Sequence, residues 1–182
     1  MKLSNLQKRL AESNPYQPAE DTFFLADHIG NEEGDTALDI GTGSGFLAKI
    51  LSHSFKLVIG TDVNINSLKQ QLNPITNRIC CNAADVFSKK FDLIICNLPY
   101  LATDEIIDIG TDGGIGGSEI PSQIIKSALS CLNESGKFIF VTSSLSDYEK
   151  LIRMVNSKGF KAEILARKKL FFEELILVQV TS

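Results

Sequence analysis

The fold prediction starts from residues 36–53, TALDIGTGSGFLAKILSH. The run TALDIG (36–41) is rich in strand-forming residues, and the stretch SGFLAKILSH (44–53) has a helical pattern. A short glycine-rich turn joins the two, and glycine permits the tight backbone conformations that such a turn needs. The segment therefore predicts a strand that passes directly into a helix.

The same alternation of strand and helix continues along the chain. Helical patterns occur at 66–72 and 120–132, and a further helix is predicted between a Ser146–Glu149 capping box and Gly159. Strands that alternate with helices predict a mainly parallel sheet with both faces covered. The five strand-like runs are 36–41, 56–62, 78–83, 91–97 and 136–143.

The C-terminal part of the chain breaks this alternation. Residues 160–170 and 173–180 are both strand-like, and only a few residues separate them. A parallel connection needs a crossover of a dozen or more residues, so these two strands are predicted to pair antiparallel. The predicted fold class is α/β, a doubly wound and mostly parallel sheet that ends in an antiparallel hairpin.

Length and composition are typical of one soluble globular domain, residues 1–182. The chain is 43% apolar and 22% charged, and no apolar run reaches the roughly 20 residues that span a membrane. The first thirty residues lack the apolar core of a signal peptide. The net charge of −4 counts against nucleic acid as a partner, since phosphate binding normally requires a basic face.

The four cysteines are Cys80, Cys81, Cys96 and Cys131, with no Cys-x-x-Cys pair, and the chain has only two histidines. The ligand spacings of a zinc site are therefore missing, and no metal site is predicted. All four cysteines lie among apolar residues, so they are expected to be buried free thiols. Free thiols favour a reducing, cytoplasmic compartment.

Two predicted loops have the residues of a nucleotide site. In a doubly wound sheet, ligands bind beyond the carboxyl ends of the strands. Gly41 and Gly43 follow the first strand, and Asp62, 21 positions after Gly41, ends the second. An acidic side chain there can accept hydrogen bonds from both hydroxyls of a ribose. The third glycine of a dinucleotide fingerprint is replaced by Phe46, and a tight turn without any ligand is the alternative.

The fourth strand runs directly into Asn97-Leu98-Pro99-Tyr100. A planar nitrogen has a delocalised, poorly reactive lone pair, and two acceptors on its two N–H bonds can fix its orientation. The side-chain oxygen of Asn97 and the carbonyl of Leu98 are such acceptors. Pro99 restricts the backbone, and Tyr100 offers a flat apolar surface to the substrate. The alternative interpretation of this segment is a strand end followed by an ordinary turn.

These motifs resemble class I methyltransferases that depend on S-adenosylmethionine (SAM), specifically the HemK/PrmC group, which methylates a glutamine in peptide release factors. DIGTGSG (39–45) is similar to that group's cofactor loop, and NLPY (97–100) is similar to its Asn-Pro-Pro-Tyr motif. YQPAEDTFFLADHI (16–29) resembles the short eukaryotic and archaeal branch, as does RKKLFFEELILV (167–178). The resemblance implies a Rossmann-like sheet of seven strands.

The resemblance also implies roles for particular residues. Asp62 would hold the ribose of SAM, Asp85 the adenine, and Asp39 would lie near the amino-acid end. Thr22 would close over the cofactor, and Asn97 would lie between cofactor and substrate. The implied cofactor-binding residues are Thr22, Asp39, Gly41, Gly43, Asp62, Asp85 and Asn97, and the implied catalytic residues are Asn97, Leu98, Pro99 and Tyr100.

The chain departs from the family pattern at Leu98, where proline is usual. The chemistry should survive, because the acceptor is a backbone carbonyl, but Leu98 adds an N–H that needs a partner. Gly113, Gly114 and Gly117 resemble the family's Gly-Gly-x-x-Gly segment, without the aromatic residue that often precedes it. Because glycines are concentrated there, a mobile loop that faces the substrate is expected.

The resemblance implies two protein partners. The substrate would be a class I release factor. Residues 1–15 form only a short N-terminal extension, so the helical domain of the bacterial members is expected to be absent. The short branch instead pairs with a small zinc-binding activator protein. The third strand should lie at the sheet edge with little protective charge, so Ile79 to Cys81 are a candidate site for strand addition.

Several other functions fit the same motifs. The acceptor could be an adenine or guanine amino group of RNA or DNA, or a protein lysine, although a lysine needs deprotonation rather than amide alignment. A silent SAM-binding subunit is the alternative that is not an enzyme, and Leu98 is its only support. A dinucleotide-binding protein would take up NAD in preference to SAM.

Overall fold

The computed structural model describes residues 17–71, 74–108 and 110–182. Tyr16 and the N-terminal extension 1–15 lie outside the described residues. The helices are α1 (Glu20–Ile29), α2 (Phe46–Leu51), α3 (Ile65–Lys69), α4 (Glu119–Ser130) and α5 (Tyr148–Ser157). The strands are β1 (Gly34–Ile40), β2 (Phe55–Asp62), β3 (Asn77–Cys80), β4 (Phe91–Asn97), β5 (Leu101–Ala102), β6 (Asp112–Gly114), β7 (Leu132–Ser143), β8 (Lys161–Lys169) and β9 (Glu174–Thr181).

A seven-stranded sheet in the order β3-β2-β1-β4-β7-β9-β8 forms the centre of the fold. The pairs from β3 to β7 are parallel, and β9 pairs antiparallel with both β7 and β8. The predicted α/β class, the antiparallel C-terminal hairpin and the edge position of the third strand are all confirmed. A separate two-stranded sheet, β5-β6, was not predicted.

Both faces of the sheet are covered by helices. Alternate residues of a strand point to opposite faces, so Leu38 and Ile94 belong to one apolar cluster, and Ala37 and Leu93 to the other. The first cluster includes buried residues of α4 and α5, and the second includes buried residues of α1 and α2. This arrangement explains why the central strands read as apolar runs.

The predicted capping box does not form. Helix α5 begins at Tyr148 after Asp147, and its N-cap has no side-chain hydrogen bond. The Ser146 hydroxyl donates instead to the Ser143 carbonyl at 2.9 Å and lies 2.9 Å from the Thr142 hydroxyl. The prediction is wrong because Ser146 belongs to the turn that ends β7.

The third strand is shorter than the predicted run 78–83. It ends at Cys80, and the backbone then turns, with Ala83 at a φ of 46° and the Asp85 N–H donating to the Asn82 carbonyl at 3.1 Å. A positive φ is costly for a residue other than glycine and is incompatible with a continuing strand. The turn therefore sets the end of β3.

The cysteines differ in exposure. Cys96 and Cys131 are buried, Cys81 is half-buried and Cys80 is exposed, and all four are free thiols. Partial burial raises the pKa of Cys81 to about 11. The expectation of four buried thiols is wrong for Cys80, since an edge strand leaves one side open to solvent. Across the described ranges, no helix combines the length and apolar character that a membrane crossing requires.

Candidate active site

One cavity of about 180 Å³ lies at the carboxyl ends of the parallel strands. Gly41 after β1, Asp62 at the end of β2 and Asn97 at the end of β4 all line it. Strand β1 lies between β2 and β4, so the chain leaves β1 in the crevice where the strand order reverses. This is the position at which doubly wound sheets bind their ligands.

The loop after β1 brings its backbone to the cavity. Gly41 has a φ of 72°, and a Cβ atom added there would have no neighbour within 4 Å, so its open side faces free space. Gly43, with a φ of 48°, donates its N–H to Asp62 Oδ2 at 3.0 Å. The left-handed conformation favours glycine at both positions. The loop is thereby fixed against the end of β2.

Asp62 is held by the backbone and still has acceptor capacity. Its Oδ2 accepts from Gly43, and its Oδ1 accepts from the Asn64 N–H at 2.8 Å. Burial raises the pKa of Asp62, and these backbone hydrogen bonds oppose the shift. Each carboxylate oxygen has a second lone pair, so a ligand with two adjacent hydroxyl groups could be bound here.

Asp39 lies behind the loop and does not line the cavity. The residue is 1% exposed, and neither carboxylate oxygen has a hydrogen-bond partner among the described residues. Burial raises the pKa of Asp39 from 3.8 to about 7, and the nearby Thr42 hydroxyl and Ala48 backbone oppose this shift only in part. Asp39 is therefore a buried, unpaired carboxyl group on β1, the strand that pairs directly with the strand of Asn97.

Asn97 presents an unpaired oxygen at the same place. Its Nδ2 donates to the Thr22 hydroxyl at 3.5 Å, while its Oδ1 is buried without a hydrogen-bond partner in the described chain. Thr22, at the start of α1, also lines a small second cavity together with Gly41 and Asn97. Buried polar atoms are rarely unpaired in native proteins, so an unpaired acceptor beside a cavity is a candidate contact for a ligand.

Leu98 and Pro99 continue the site in different ways. The additional N–H of Leu98 donates to the Val141 carbonyl at 3.3 Å, so it has the partner that the sequence left open. The Leu98 side chain is 2% exposed and belongs to the apolar cluster under α4 and α5. Pro99 lines the larger cavity. Leucine in place of proline is thus accommodated by the core.

Tyr100 is turned away from both cavities. Its ring belongs to the apolar cluster under α1 and α2, and its hydroxyl donates to Asp21 Oδ2 at 3.3 Å. Tyr100 is not among the residues that line either cavity. Its predicted contact with the substrate stays a prediction, and in this structure the ring anchors the loop to α1.

The glycine-rich segment supports the active-site loop. A Cβ atom on Gly113 would lie 2.6 Å from the Pro99 carbonyl oxygen, and one on Gly117 would overlap the Tyr100 carbonyl. Gly113, Gly114 and Gly117 are buried, and β6 pairs with β5 directly after the loop. Backbone packs directly on backbone at these glycines, and Gly110 of the same segment lines the larger cavity. The expected mobility of the segment stays a prediction.

Asp85 lies outside the cavity. Its Oδ1 accepts from the Ser127 hydroxyl at 2.6 Å, and its Oδ2 accepts from Asn82 Nδ2 at 2.8 Å. Asn82 and Ala83, from the same turn, do line the cavity. The predicted contact of Asp85 with adenine stays a prediction, and it would require these side-chain hydrogen bonds to be shared or exchanged.

The structure adds residues that the sequence analysis missed. Asp21 contacts both Thr22 and Tyr100, yet in the sequence it reads only as an acidic residue in the first turn of a helix. Gln71 is buried and donates its Nε2 to the Gly43 carbonyl at 3.1 Å. No local pattern predicts either contact, because both depend on which elements pack together.

The methyltransferase small domain family matches residues 19–171. The chain belongs to this family. A candidate protein N5-glutamine methyltransferase of Methanocaldococcus jannaschii is 32% identical over 178 residues, which cover 90% of this chain and 89% of that protein. Human methyltransferase HEMK2 is 25% identical over 197 residues, which cover 95% and 92% of the two chains.

Solved structures agree with the fold of this methyltransferase. The E. cuniculi complex of Mtq2 and Trm112, described as responsible for methylating the translation termination factor eRF1, matches with a TM-score of 0.79. The match covers 93% of this chain and 99% of that chain at 22% identity. A ribosomal protein L11 methylase from Lactobacillus delbrueckii matches with a TM-score of 0.68 at 20% identity, covering 93% of this chain and 82% of that chain.

We predict that Asp39→Asn changes how stability depends on pH. With the pKa of Asp39 raised to about 7, the folded protein holds this proton more tightly than the unfolded chain does. Its free energy of unfolding should therefore fall as the pH rises from about 4 to about 7. One pKa unit corresponds to about 1.4 kcal/mol, so Asp39→Asn should stabilise the ligand-free protein at pH 8 by a few kcal/mol.

Urea unfolding of the ligand-free protein at pH 5 and pH 8 measures this effect. Asp35→Asn is the control, because Asp35 lies in the same strand but is exposed and paired with Lys56. The control should unfold with the pH dependence of the wild type. If Asp39→Asn also keeps the wild-type pH dependence, the buried carboxyl group does not titrate as described.

Proposed function

We propose that this methyltransferase uses SAM to methylate the side-chain amide of the glutamine in the Gly-Gly-Gln motif of a class I peptide release factor. The observation that carries the proposal is the buried, unpaired Asn97 Oδ1 at the cavity. An unpaired acceptor at this place suits a substrate that supplies an N–H group. The names and descriptions of the similar proteins support glutamine as the acceptor residue.

The residues around the cavity fit SAM. Asp62 keeps free lone pairs for the two ribose hydroxyls, and Gly41 has open space on the side where a ligand would approach. The unpaired carboxyl group of Asp39 suits the neighbourhood of a cationic amino-acid end, because a positive charge nearby favours the ionised carboxylate. SAM, when bound, supplies an electrophilic methyl group.

The chain's own residues would orient the acceptor. An amide nitrogen is planar and weakly nucleophilic, so its alignment matters more than its deprotonation before the reaction. Asn97 Oδ1 would accept one N–H of the glutamine amide, and the Leu98 carbonyl would accept the other. When the nitrogen accepts the methyl group, the sulfur–methyl bond of SAM would break to leave S-adenosylhomocysteine, and the nitrogen would release one of its two protons to solvent. Both acceptors would stabilise the positive charge that develops on the nitrogen before the proton leaves. Alignment of this kind can contribute about 7–11 kcal/mol to the lowering of the barrier.

An exposed aromatic pair favours a macromolecular substrate. Phe171 and Phe172 lie at the turn between β8 and β9 and are 92% and 84% exposed. Their rings contact each other edge to face, with the ring centroids 4.6 Å apart. Because β9 runs antiparallel to β7, this turn lies at the same end of the sheet as Asn97. Exposed apolar groups near an active site are typical of a protein-binding surface rather than a phosphate-binding one.

Methyl transfer to a release factor tests the proposed function. The purified chain, with any partner that co-purifies, is incubated with methyl-labelled SAM and the class I release factor of the same organism. Labelled N5-methylglutamine is expected in the Gly-Gly-Gln peptide by mass spectrometry. No label is expected with Asn97→Ala, because the oriented acceptor is lost, or with a release factor in which that glutamine is alanine.

The other functions predict different results in the same experiment. Label that nuclease removes from a cell extract would move the function to RNA or DNA, and label on lysine would assign a lysine methyltransferase. Normal SAM binding without transfer to any acceptor would indicate a silent subunit. Uptake of NAD in preference to SAM would contradict the cofactor assignment. The free cysteines favour a reducing compartment, so the assay contains a reducing agent.

We further propose that a small zinc-binding activator protein adds a strand to β3. This strand lies at the sheet edge with β2 as its one partner in the described chain, and Ile79 is only half-buried there. A short edge strand with free backbone groups is a template for strand addition. The similar E. cuniculi structure is a complex of the methyltransferase with a second protein, which supports a partner of this kind.

Co-purification tests the partner. The chain is expressed with the small zinc proteins of its own organism, and one of them should co-purify and increase SAM binding. Cys80 is exposed on β3, and Cys80→Asp should weaken the association at least tenfold. Lys161 lies on β8 at the opposite edge of the sheet, and Lys161→Asp should leave the association unchanged. If the isolated chain is soluble and monomeric and binds SAM tightly without a partner, the proposal fails.

A further inference from the structure

We infer that Asp21 is a positioning residue that sets the orientation of the Asn97 side-chain amide through the hydroxyl group of Thr22. The inference deepens the proposed function, because it concerns how the acceptor oxygen of that same site is held. Asp21 would not contact substrate or cofactor itself. Its effect would be that Asn97 presents Oδ1, and not Nδ2, to the substrate.

Asp21 is almost fully buried and lies in the first turn of α1. It is 8% exposed, and its Oδ1 accepts from the Thr22 N–H at 2.6 Å and from the Thr22 hydroxyl at 3.3 Å. The Thr22 hydroxyl donates to Asp21 Oδ1, so its hydrogen points to Asp21. The lone pairs of the Thr22 oxygen are then the groups left for other partners.

The amide of Asn97 faces this oxygen. Its Nδ2 donates to Thr22 Oγ1 at 3.5 Å, across 75 positions of sequence. If the amide were turned by 180°, its Oδ1 would face a hydroxyl oxygen whose hydrogen is already donated to Asp21, and two acceptors would oppose each other. The contact with Asp21 therefore selects the orientation in which Asn97 Oδ1 is unpaired and available.

The same carboxylate also holds the other end of the NLPY motif. Asp21 Oδ2 accepts from the Tyr100 hydroxyl at 3.3 Å, across 79 positions of sequence. One residue of α1 thus links Asn97, through Thr22, with Tyr100. The backbone between them includes the Leu98 carbonyl, the second predicted acceptor, so both acceptors depend on the position of α1.

An ordinary helix-terminal role does not account for these contacts. An acidic residue in a first turn stabilises the helix through its dipole and can remain in solvent. Here the N-cap of α1 is Ala19 without a side-chain hydrogen bond, and Asp21 is buried against the Tyr100 hydroxyl from the loop between β4 and β5. A buried carboxylate costs free energy unless it is hydrogen-bonded. The hydroxyls of Thr22 and Tyr100 supply hydrogen bonds to Asp21.

Three variants separate positioning from a merely structural role. Thr22→Val keeps the shape of the side chain and removes the hydroxyl, and Thr22→Ser keeps the hydroxyl. Asp21→Ala leaves the Thr22 hydroxyl free to donate to Asn97 Oδ1. Each protein is assayed for kcat at saturating SAM and acceptor, for SAM affinity by calorimetry and for melting temperature. The side-chain amide signals of Asn97 are recorded by NMR, assigned by their loss in Asn97→Ala.

The expected result is a specific loss of turnover. Thr22→Val and Asp21→Ala should lower kcat by about tenfold to a hundredfold, in line with the cost of small misplacements in active sites. Thr22→Ser should recover most of the activity that Thr22→Val loses. The Asn97 amide signals should shift in Thr22→Val and Asp21→Ala and return close to their wild-type position in Thr22→Ser.

Other results would overturn the inference. The inference fails if the NMR signals of Asn97 are unchanged in Thr22→Val, or if the variants change only SAM affinity or melting temperature. It also fails if Thr22→Ser loses as much activity as Thr22→Val. The NMR and SAM-binding measurements need no methyl acceptor. If the wild type fails to methylate glutamine while the Asn97 signals respond as expected, the proposed function fails and the positioning role stands.

Discussion

The site depends on the parallel pairing of β1 with β2 on one side and β4 on the other. The registers place Asp39 opposite Gly60 and Ile40 opposite both Thr61 and Cys96, so the three strands end at nearly the same level. Gly41, Asp62 and Asn97 are the residues at or just after these ends, and their convergence follows from the register. A shift of one residue would turn the side chains of Asp62 and Asn97 to the opposite face of the sheet.

The surroundings of the strand ends keep this geometry fixed. Asp62 accepts from the Gly43 N–H, which ties the glycine loop to β2, and a Cβ atom on Gly60 would lie 2.8 Å from Thr42 and from Ile75. On the other side, the segment around Gly117 packs directly on the Tyr100 carbonyl. These contacts fix the glycine loop and the segment after β4, which lie beside the buried oxygens of Asp39 and Asn97.

The elements that produce a local signal could be predicted from the sequence. The apolar runs, the glycine turn at Gly41 and the short connection before Glu174 give the sheet, its switch point and its C-terminal hairpin. Contacts that depend on tertiary packing could not be predicted. Asp21 resembles any acidic residue at a helix start, and the glycines near Gly117 resemble a loose loop until the chain packs against them. The exposure of Cys80 likewise depends on which face of the edge strand is covered.

The most direct test of the account is a crystal structure with S-adenosylhomocysteine and a peptide that contains Gly-Gly-Gln. The account predicts that the glutamine side-chain nitrogen lies about 2.7–3.2 Å from both Asn97 Oδ1 and the Leu98 carbonyl. Thr22 should still accept from Asn97 Nδ2 in that complex. A glutamine bound elsewhere, or an Asn97 that presents Nδ2 to it, would contradict the assignment of this site as one that aligns an amide for methyl transfer.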